Sequence, residues 1–314
     1  MNIAQTNRIG SQKGMALKVR QAPNPEETIA VSIWKSGNYN SILYDPWCSN
    51  MNAQVVHGHY HTSWGRNIHR AIVDGMFKNP AIFDWKGKTV YIIGRGRSLK
   101  RNVEALNSVE RKNPAIFLNT SYNDVELQPV DFVMIADNRI LGVDEYRGAV
   151  NSPLLSFPGI DRDIVGDNWR GLYGFVPWTS SPLNNWMRED FPHLPAILDI
   201  LTVSVMATHL ALVNQAENIV FMGMDNTFKG KHRDKIKTKD VNGNPCKTIK
   251  GYYEMATALC QLAGFARFHC TTKFFNATGR GVLGVNYFEK ETRFPWVKQL
   301  SARQAIERFE NGLS

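Results

Sequence analysis

The chain has 314 residues, 43% of them hydrophobic, and carries 37 Lys and Arg against 28 Asp and Glu for a formal net charge of +9. That hydrophobic share excludes wholesale disorder, the length suits one large α/β domain with elaborations or two modest ones, and no apolar run is long enough to span a bilayer. The positive balance favours anionic partners: a nucleotide-sugar, a phosphorylated metabolite or a nucleic acid.

Residues 1 to 28 are polar and basic with no apolar signal segment, and Cys48, Cys246, Cys260 and Cys270 show no C-x-x-C spacing. Reduced thiols in a cytoplasmic protein are therefore expected. Thr28 to Trp34 reads as a strand, and Lys35 to His69 as irregular. His57, His59 and His61 alternate, so on a strand they would share a face. No carboxylate or cysteine lies nearby and Gly58 marks a loop, so no metal site is assigned there. Asn67 to Met76 reads as a helix leading to a turn at Lys78-Asn79-Pro80. Residues 1–85 form an N-terminal extension in this reading.

From Lys86 the pattern becomes regular. Thr89 to Ile93 is a short apolar run expected of a central strand, and Gly94-Arg95-Gly96-Arg97-Ser98 leads into a helix with Leu99, Val103, Leu106 and Val109 at helical spacing. Gly94 and Gly96 remove Cβ atoms where the chain turns and where a ligand can approach. Ser98 is the expected N-cap, and the free N–H groups of that first turn form an anion site suited to a nucleotide phosphate. A tight strand-to-helix turn without a ligand gives the same pattern. Ala115 to Leu118 is a second strand ending at Asn119, and Val130 to Ala136 a third ending at Asp137-Asn138. Alternating strands and helices imply an α/β, Rossmann-like, doubly wound and mostly parallel sheet, with ligands beyond the carboxyl ends of its strands.

Gly142 to Asp190 lacks periodicity and reads as a long lid-like insertion, or as an irregular one packed by Trp169, Trp178 and Trp186. Pro195 to Asn214 reads as a buried helix with Thr202 and Ser204 near its amino end and His209 in its apolar body. Asn218 to Met222 is the next strand, running into Gly223-Met224-Asp225, where a carboxylate can bind ribose, act in catalysis or cap a turn. The basic run from Lys229 to Asp240, with His232, is either a solvated loop or a mobile flap over an anionic ligand. Lys247 to Leu262 is amphipathic, and Lys273 to Ala277 is a strand. Ser301 to Gln304 has the pattern of a capping box, with Gly312 as the stop. Residues 86–290 would form the nucleotide-binding domain and 291–314 a C-terminal helix and tail.

Several of these stretches, in this order, resemble a family of unknown-function domains. Its relatives include the archaeal 6-hydroxymethyl-dihydropterin pyrophosphokinase and the motility-associated flagellin glycosylation factors, and its fold is related to that of bacterial sialyltransferases using CMP-sialic acid. Gly94-Arg95-Gly96-Arg97-Ser98-Leu99 is similar to the family's G-x-G-P-S-L, with Arg97 in place of the proline. Ile219 to Asp225 resembles its hydrophobic-G-x-D element, and Thr202-Val203-Ser204 the Thr-Ser-Gly helix start of the sialyltransferases. Gly230-Lys231-His232 resembles a glycine-lysine-threonine-histidine segment one residue longer. Asn276-Ala277-Thr278-Gly279-Arg280-Gly281 is similar to N-A-T-E-G-G without the glutamate. The resemblance implies that Gly94 to Ser98 hold the donor phosphate, Asn119, Asp137 and Asn138 the base or ribose, Thr202, Ser204 and Gly223 the nucleotide, and that His232, with Asp225, acts in catalysis.

Four functions compete on these residues. A dehydrogenase lacks its third glycine and the acidic residue after the second strand. A pterin pyrophosphokinase needs Mg²⁺ and clustered carboxylates to bridge ATP phosphates, whereas Asp137 is followed by Asn138 and Arg139. A transferase of a CMP-linked acidic sugar works without metal, because cations and helix N–H groups stabilise the leaving phosphate and His232 can take the acceptor's proton. That is the preferred reading, with no resident cofactor. A non-enzymatic binder of nucleotide or nucleic acid is the remaining alternative, although no nucleic-acid signature frames the scattered tryptophans. The acceptor and any self-association are left open.

Overall fold

The computed structural model describes residues 67–68, 70–124, 130–136, 152–160, 162–165, 169–178, 187–198, 202–287 and 292–312. The strand expected at Thr28–Trp34, the histidines 57, 59 and 61, and the site residues Asp137 and Asn138 lie outside the described residues.

The body is a nine-stranded sheet in which every pairing is parallel. In chain order its strands are β1 (Asn79–Pro80), β2 (Thr89–Ile93), β3 (Ala115–Leu118), β4 (Phe132–Met134), β5 (Pro153–Ser156), β6 (Gly171–Gly174), β9 (Asn218–Met222), β12 (Lys273–Asn276) and β13 (Val297–Gln299). Two further pairs stand apart: β7 (Val176–Trp178) with β8 (Ala196–Leu198), and the antiparallel hairpin of β10 (Lys235–Lys239) and β11 (Pro245–Ile249). Across the main sheet the order is β1-β6-β5-β4-β3-β2-β9-β12-β13. β2 and β9 are buried at every residue, as continuous apolar runs covered on both faces require.

Helices α1 (Leu99–Asn107), α2 (Arg162–Val165), α3 (Val203–Val213), α4 (Lys250–Ala266) and α5 (Ala302–Phe309) fill the connections. α1 packs with α5, whereas α3 packs with α4 and against β2 and β3, which is the Rossmann-like, doubly wound arrangement expected. The core between them is built on large side chains without exposed surface, among them Tyr91, Phe117, Phe221 and Phe275. α5 carries the expected capping box between Ser301 and Gln304. Glu310 just beyond it accepts from the Lys112 backbone N–H (2.6 Å) and from the Asn113 amide (3.0 Å), which locks the helix to the sheet.

The sequence reading needs four corrections here. The insertion read as structureless contributes β5 and β6 to the main sheet, together with α2 and β7; strands of three or four residues broken by Pro153, Gly171 and Gly174 are too short to show a period. The helix placed from Pro195 is preceded by β8, and α3 begins only after Thr202. Part of the basic run, Lys235–Lys239, is β10, in which Ile236 and Thr238 are half-buried and the three lysines exposed. The C-terminal tail adds β13 to the sheet edge. On the N-terminal side, Ile68, Phe77, Ala81 and Trp85 belong to the same core, and β1 pairs with β6. The helix expected at Asn67–Met76 is helical at 67–68 and 70–73 and gives way at Gly75, whose φ is +61°. Among the described residues no helix is long and apolar enough to cross a membrane.

Candidate functional site

The strand order reverses at β2, with β3 on one side and β9 on the other, so the carboxyl ends of β2, β9 and β12 lie side by side. The loops that leave them are stitched together. Gly94 N–H donates to the Met222 carbonyl (2.9 Å) and Gly96 N–H to that of Gly223 (2.6 Å). Asn102, fully buried on α1, accepts from Gly223 N–H (2.9 Å) and donates to the Ala277 carbonyl (3.1 Å). The Thr278 hydroxyl accepts from Met224 N–H (3.2 Å).

Asp225 sits at the centre of this junction and is 1% exposed. Its Oδ2 accepts from both the backbone N–H (2.9 Å) and the hydroxyl (2.6 Å) of Ser98, and its Oδ1 accepts from Arg280 Nε (2.8 Å). The positive end of α1 is therefore already matched to an anion, the protein's own carboxylate. This corrects two expectations. Ser98 has helical angles, and its hydroxyl donates to Asp225 instead of capping α1. Gly94 and Gly96 serve approach of chain to chain: a Cβ on Gly96 would collide with the Asp225 carboxylate and the Gly223 carbonyl, and one on Gly94 with Met224. Gly281, at φ +91°, is likewise pressed against the Asp225 backbone.

Beyond this junction lies a half-open cleft of about 480 Å³, walled on its far side by the β10–β11 hairpin. That volume falls within the usual range for small-ligand sites. Among the described residues its charged lining is Arg97, Lys229, Lys237, Lys247 and Arg280 against Asp240. Asp240 is engaged in its own turn, since its Oδ1 accepts from the N–H groups of Asn242 (2.8 Å) and Asn244 (2.9 Å). Lys237 and Lys247 stand directly opposite each other in the ladder. Like charges so placed repel, and an anion between them relieves the repulsion. Cys246 also lines the cleft, and burial together with Asp240 pushes its thiol up to about 11, which keeps it protonated near neutrality. The stretch read as either a loop or a flap leads into a held hairpin: Phe228 N–H donates to the Lys247 carbonyl (2.9 Å), and the Thr248 hydroxyl to the Asn226 carbonyl (2.6 Å).

The remaining site residues fall into three groups. Arg95 reaches the Thr120 hydroxyl (3.2 Å), beside Asn119 at the end of β3. Asn119 has φ +50°, which asparagine tolerates, and its Oδ1 is buried without a hydrogen-bond partner. Thr202 caps α3 and Ser204 lies in its first turn, but neither lines the cleft. His232 also lies outside the lining; its side chain is 39% exposed, and its ring meets the edge of Phe228 with centroids 5.7 Å apart. Its Nδ1 accepts from Asp234 N–H (3.1 Å), which leaves the proton of a neutral ring on Nε2.

Sequence reasoning missed Arg280, Asn102 and Lys247. Asn102 carried a readable signal, because it falls on the buried face of α1 beside Leu99, Val103 and Leu106. Arg280 was visible only as a departure from a glycine-rich turn, and its partnership with Asp225 spans 55 positions.

No protein-family model matches the chain, and no curated protein matches it significantly. Among solved structures it is similar to a MAf glycosyltransferase from Magnetospirillum magneticum AMB-1, at 16% identity and a TM-score of 0.55. The likeness covers 77% of this chain but only 38% of that one, so the chain spans well under half of the solved protein's length. At this identity the likeness shows a shared α/β fold.

Proposed function

We propose that the chain is a nucleotide-dependent glycosyltransferase that binds a CMP-activated acidic sugar in the hairpin cleft. One observation carries the reading: five cationic residues line a cleft of about 480 Å³ at the carboxyl rim of a Rossmann-like sheet. The fold shared with a MAf glycosyltransferase supports it.

In the proposed reaction an acceptor hydroxyl oxygen bonds to the anomeric carbon while the bond from that carbon to the phosphate oxygen breaks. The electron pair leaves on CMP. Arg97, Arg280 and the cleft lysines are placed to stabilise that anion, which removes the need for a metal ion. Asp225 is buried and fully engaged, so its part is to position Ser98 and Arg280. His232 is the base in this reading, which requires Nδ1 to give up its bond from Asp234 N–H and carry the ring proton so that Nε2 is free.

Turnover of CMP-linked acidic sugars, measured as CMP release beside ATP with Mg²⁺ and NAD, tests the proposal. CMP release with the other two silent supports it. Selective consumption of ATP with Mg²⁺ moves the assignment to a diphosphotransferase.

A further inference from the structure

Arg280 was not among the residues expected to touch a ligand, yet its surroundings are those of a recognition group. Its Nε is tied to Asp225 Oδ1 at 2.8 Å, and Asp225 is itself fixed from behind by two donors of Ser98. This sets the plane of the guanidinium. The side chain is 41% exposed and lines the cleft, and its two terminal nitrogens make no hydrogen bond among the described residues. A planar fork held at one edge presents its remaining donors in the geometry that matches two oxygens of a phosphate. Lys237 and Lys247, paired across the hairpin, also line the cleft. With Asp240 occupied by its own turn, the cleft is left strongly cationic and suits a ligand of at least two negative charges.

We propose that Arg280, held in place by Asp225, grips the phosphate of a dianionic or more highly charged ligand in the hairpin cleft. The inference deepens the transferase reading, in which that phosphate belongs to the CMP-sugar, and its test is built to fail separately from it.

The test is calorimetric titration of the full chain with inorganic pyrophosphate, CMP and cytidine. The wild type is expected to bind pyrophosphate and CMP, with cytidine at least about tenfold weaker. Arg280→Ala is expected to lose about 10- to 100-fold in affinity for pyrophosphate and CMP, the range for a charge-assisted bidentate contact, while cytidine binding stays the same. Arg280→Lys keeps the charge but cannot hold the fork, so it is expected to recover only a small part of the loss. Lys247→Ala lies on an exposed strand and leaves the Asp225 junction intact; its affinity for pyrophosphate should fall several-fold, which keeps the test decisive if Arg280 variants fold poorly. Wild-type affinity in Arg280→Ala, full rescue by Arg280→Lys, unchanged affinity in Lys247→Ala, or no binding of pyrophosphate and CMP by the wild type would each overturn the inference. Arg280-dependent pyrophosphate binding without turnover of any CMP-sugar leaves the phosphate grip standing and removes the transferase. Normal CMP-sugar turnover in Arg280→Ala does the reverse.

Discussion

Replacing Asp225 by alanine separates a structural keystone from a catalytic carboxylate. The substitution leaves Ser98 N–H and the Ser98 hydroxyl without their acceptor in a site where Ser98 is 1% exposed. Each orphaned buried donor costs about 1–3 kcal/mol. Losing the anion at the start of α1 adds roughly 0.3–2 kcal/mol. The Arg280 pair adds at most about 1 kcal/mol, because that side chain is part-exposed and screened by water. The total, roughly 2–9 kcal/mol, is a large share of the about 5–15 kcal/mol typical of a folded domain. Asp225→Asn keeps an acceptor oxygen for Ser98 and is expected to cost clearly less. Urea unfolding followed by circular dichroism gives the measurement, read as a lowered midpoint at unchanged slope. Asp225→Ala within about 0.5 kcal/mol of the wild type, a surface-like effect, would refute the reasoning and return Asp225 to a catalytic role.

Asn102→Leu is nearly isosteric but leaves Gly223 N–H and the Ala277 carbonyl without partners, so a loss of about 2–4 kcal/mol is expected by the same urea assay; a neutral result sinks the claim that Asn102 clamps the rim. His209 accepts from Leu198 N–H, and burial lowers its pKa to about 4 from an ordinary 6.5. The ring is neutral in the fold and protonates first in the unfolded chain, so its stabilisation is complete above about pH 6.5 and is lost as pH falls towards 4, by at most about 3 kcal/mol. His209→Gln should flatten the stability profile between those values, and an unchanged acid slope would count against the assignment. His232→Ala is expected to lower turnover of the CMP-sugar about 10²–10⁴-fold with donor affinity preserved. Weakened donor binding at normal turnover would instead make His232 a cleft-side contact and not a base.

The central strands were legible because burial on both faces writes itself as unbroken apolar runs, as in Val90 to Ile93 and Asn218 to Met222. The hydroxyl start of α5 at Ser301 is legible for a local reason, a side chain bonding within its own turn, whereas the apolar residues of β8 hide that α3 starts at Thr202. Strands β5, β6 and β13 were not legible, since three or four residues carry no period and their pairing is set by distant neighbours. The site divides the same way. Gly94, Gly96, Ser98, Gly223 and Asp225 stood out as a rim of turns, but their purpose did not. Whether a helix start faces a ligand or a buried carboxylate is decided by a residue 127 positions away. In the lysine run, charge masks the alternation at Ile236 and Thr238 that marks Lys235–Lys239 as a strand.

The most direct measurement is a crystal structure of the full chain with CMP bound. The account predicts the phosphate in the cleft between the sheet rim and the β10–β11 hairpin, within hydrogen-bond reach of the Arg280 guanidinium and near Arg97, with Asp225 still bonded to Ser98. A phosphate bound instead on the Ser98 N–H with Asp225 displaced, or on any surface away from Arg280, would contradict it.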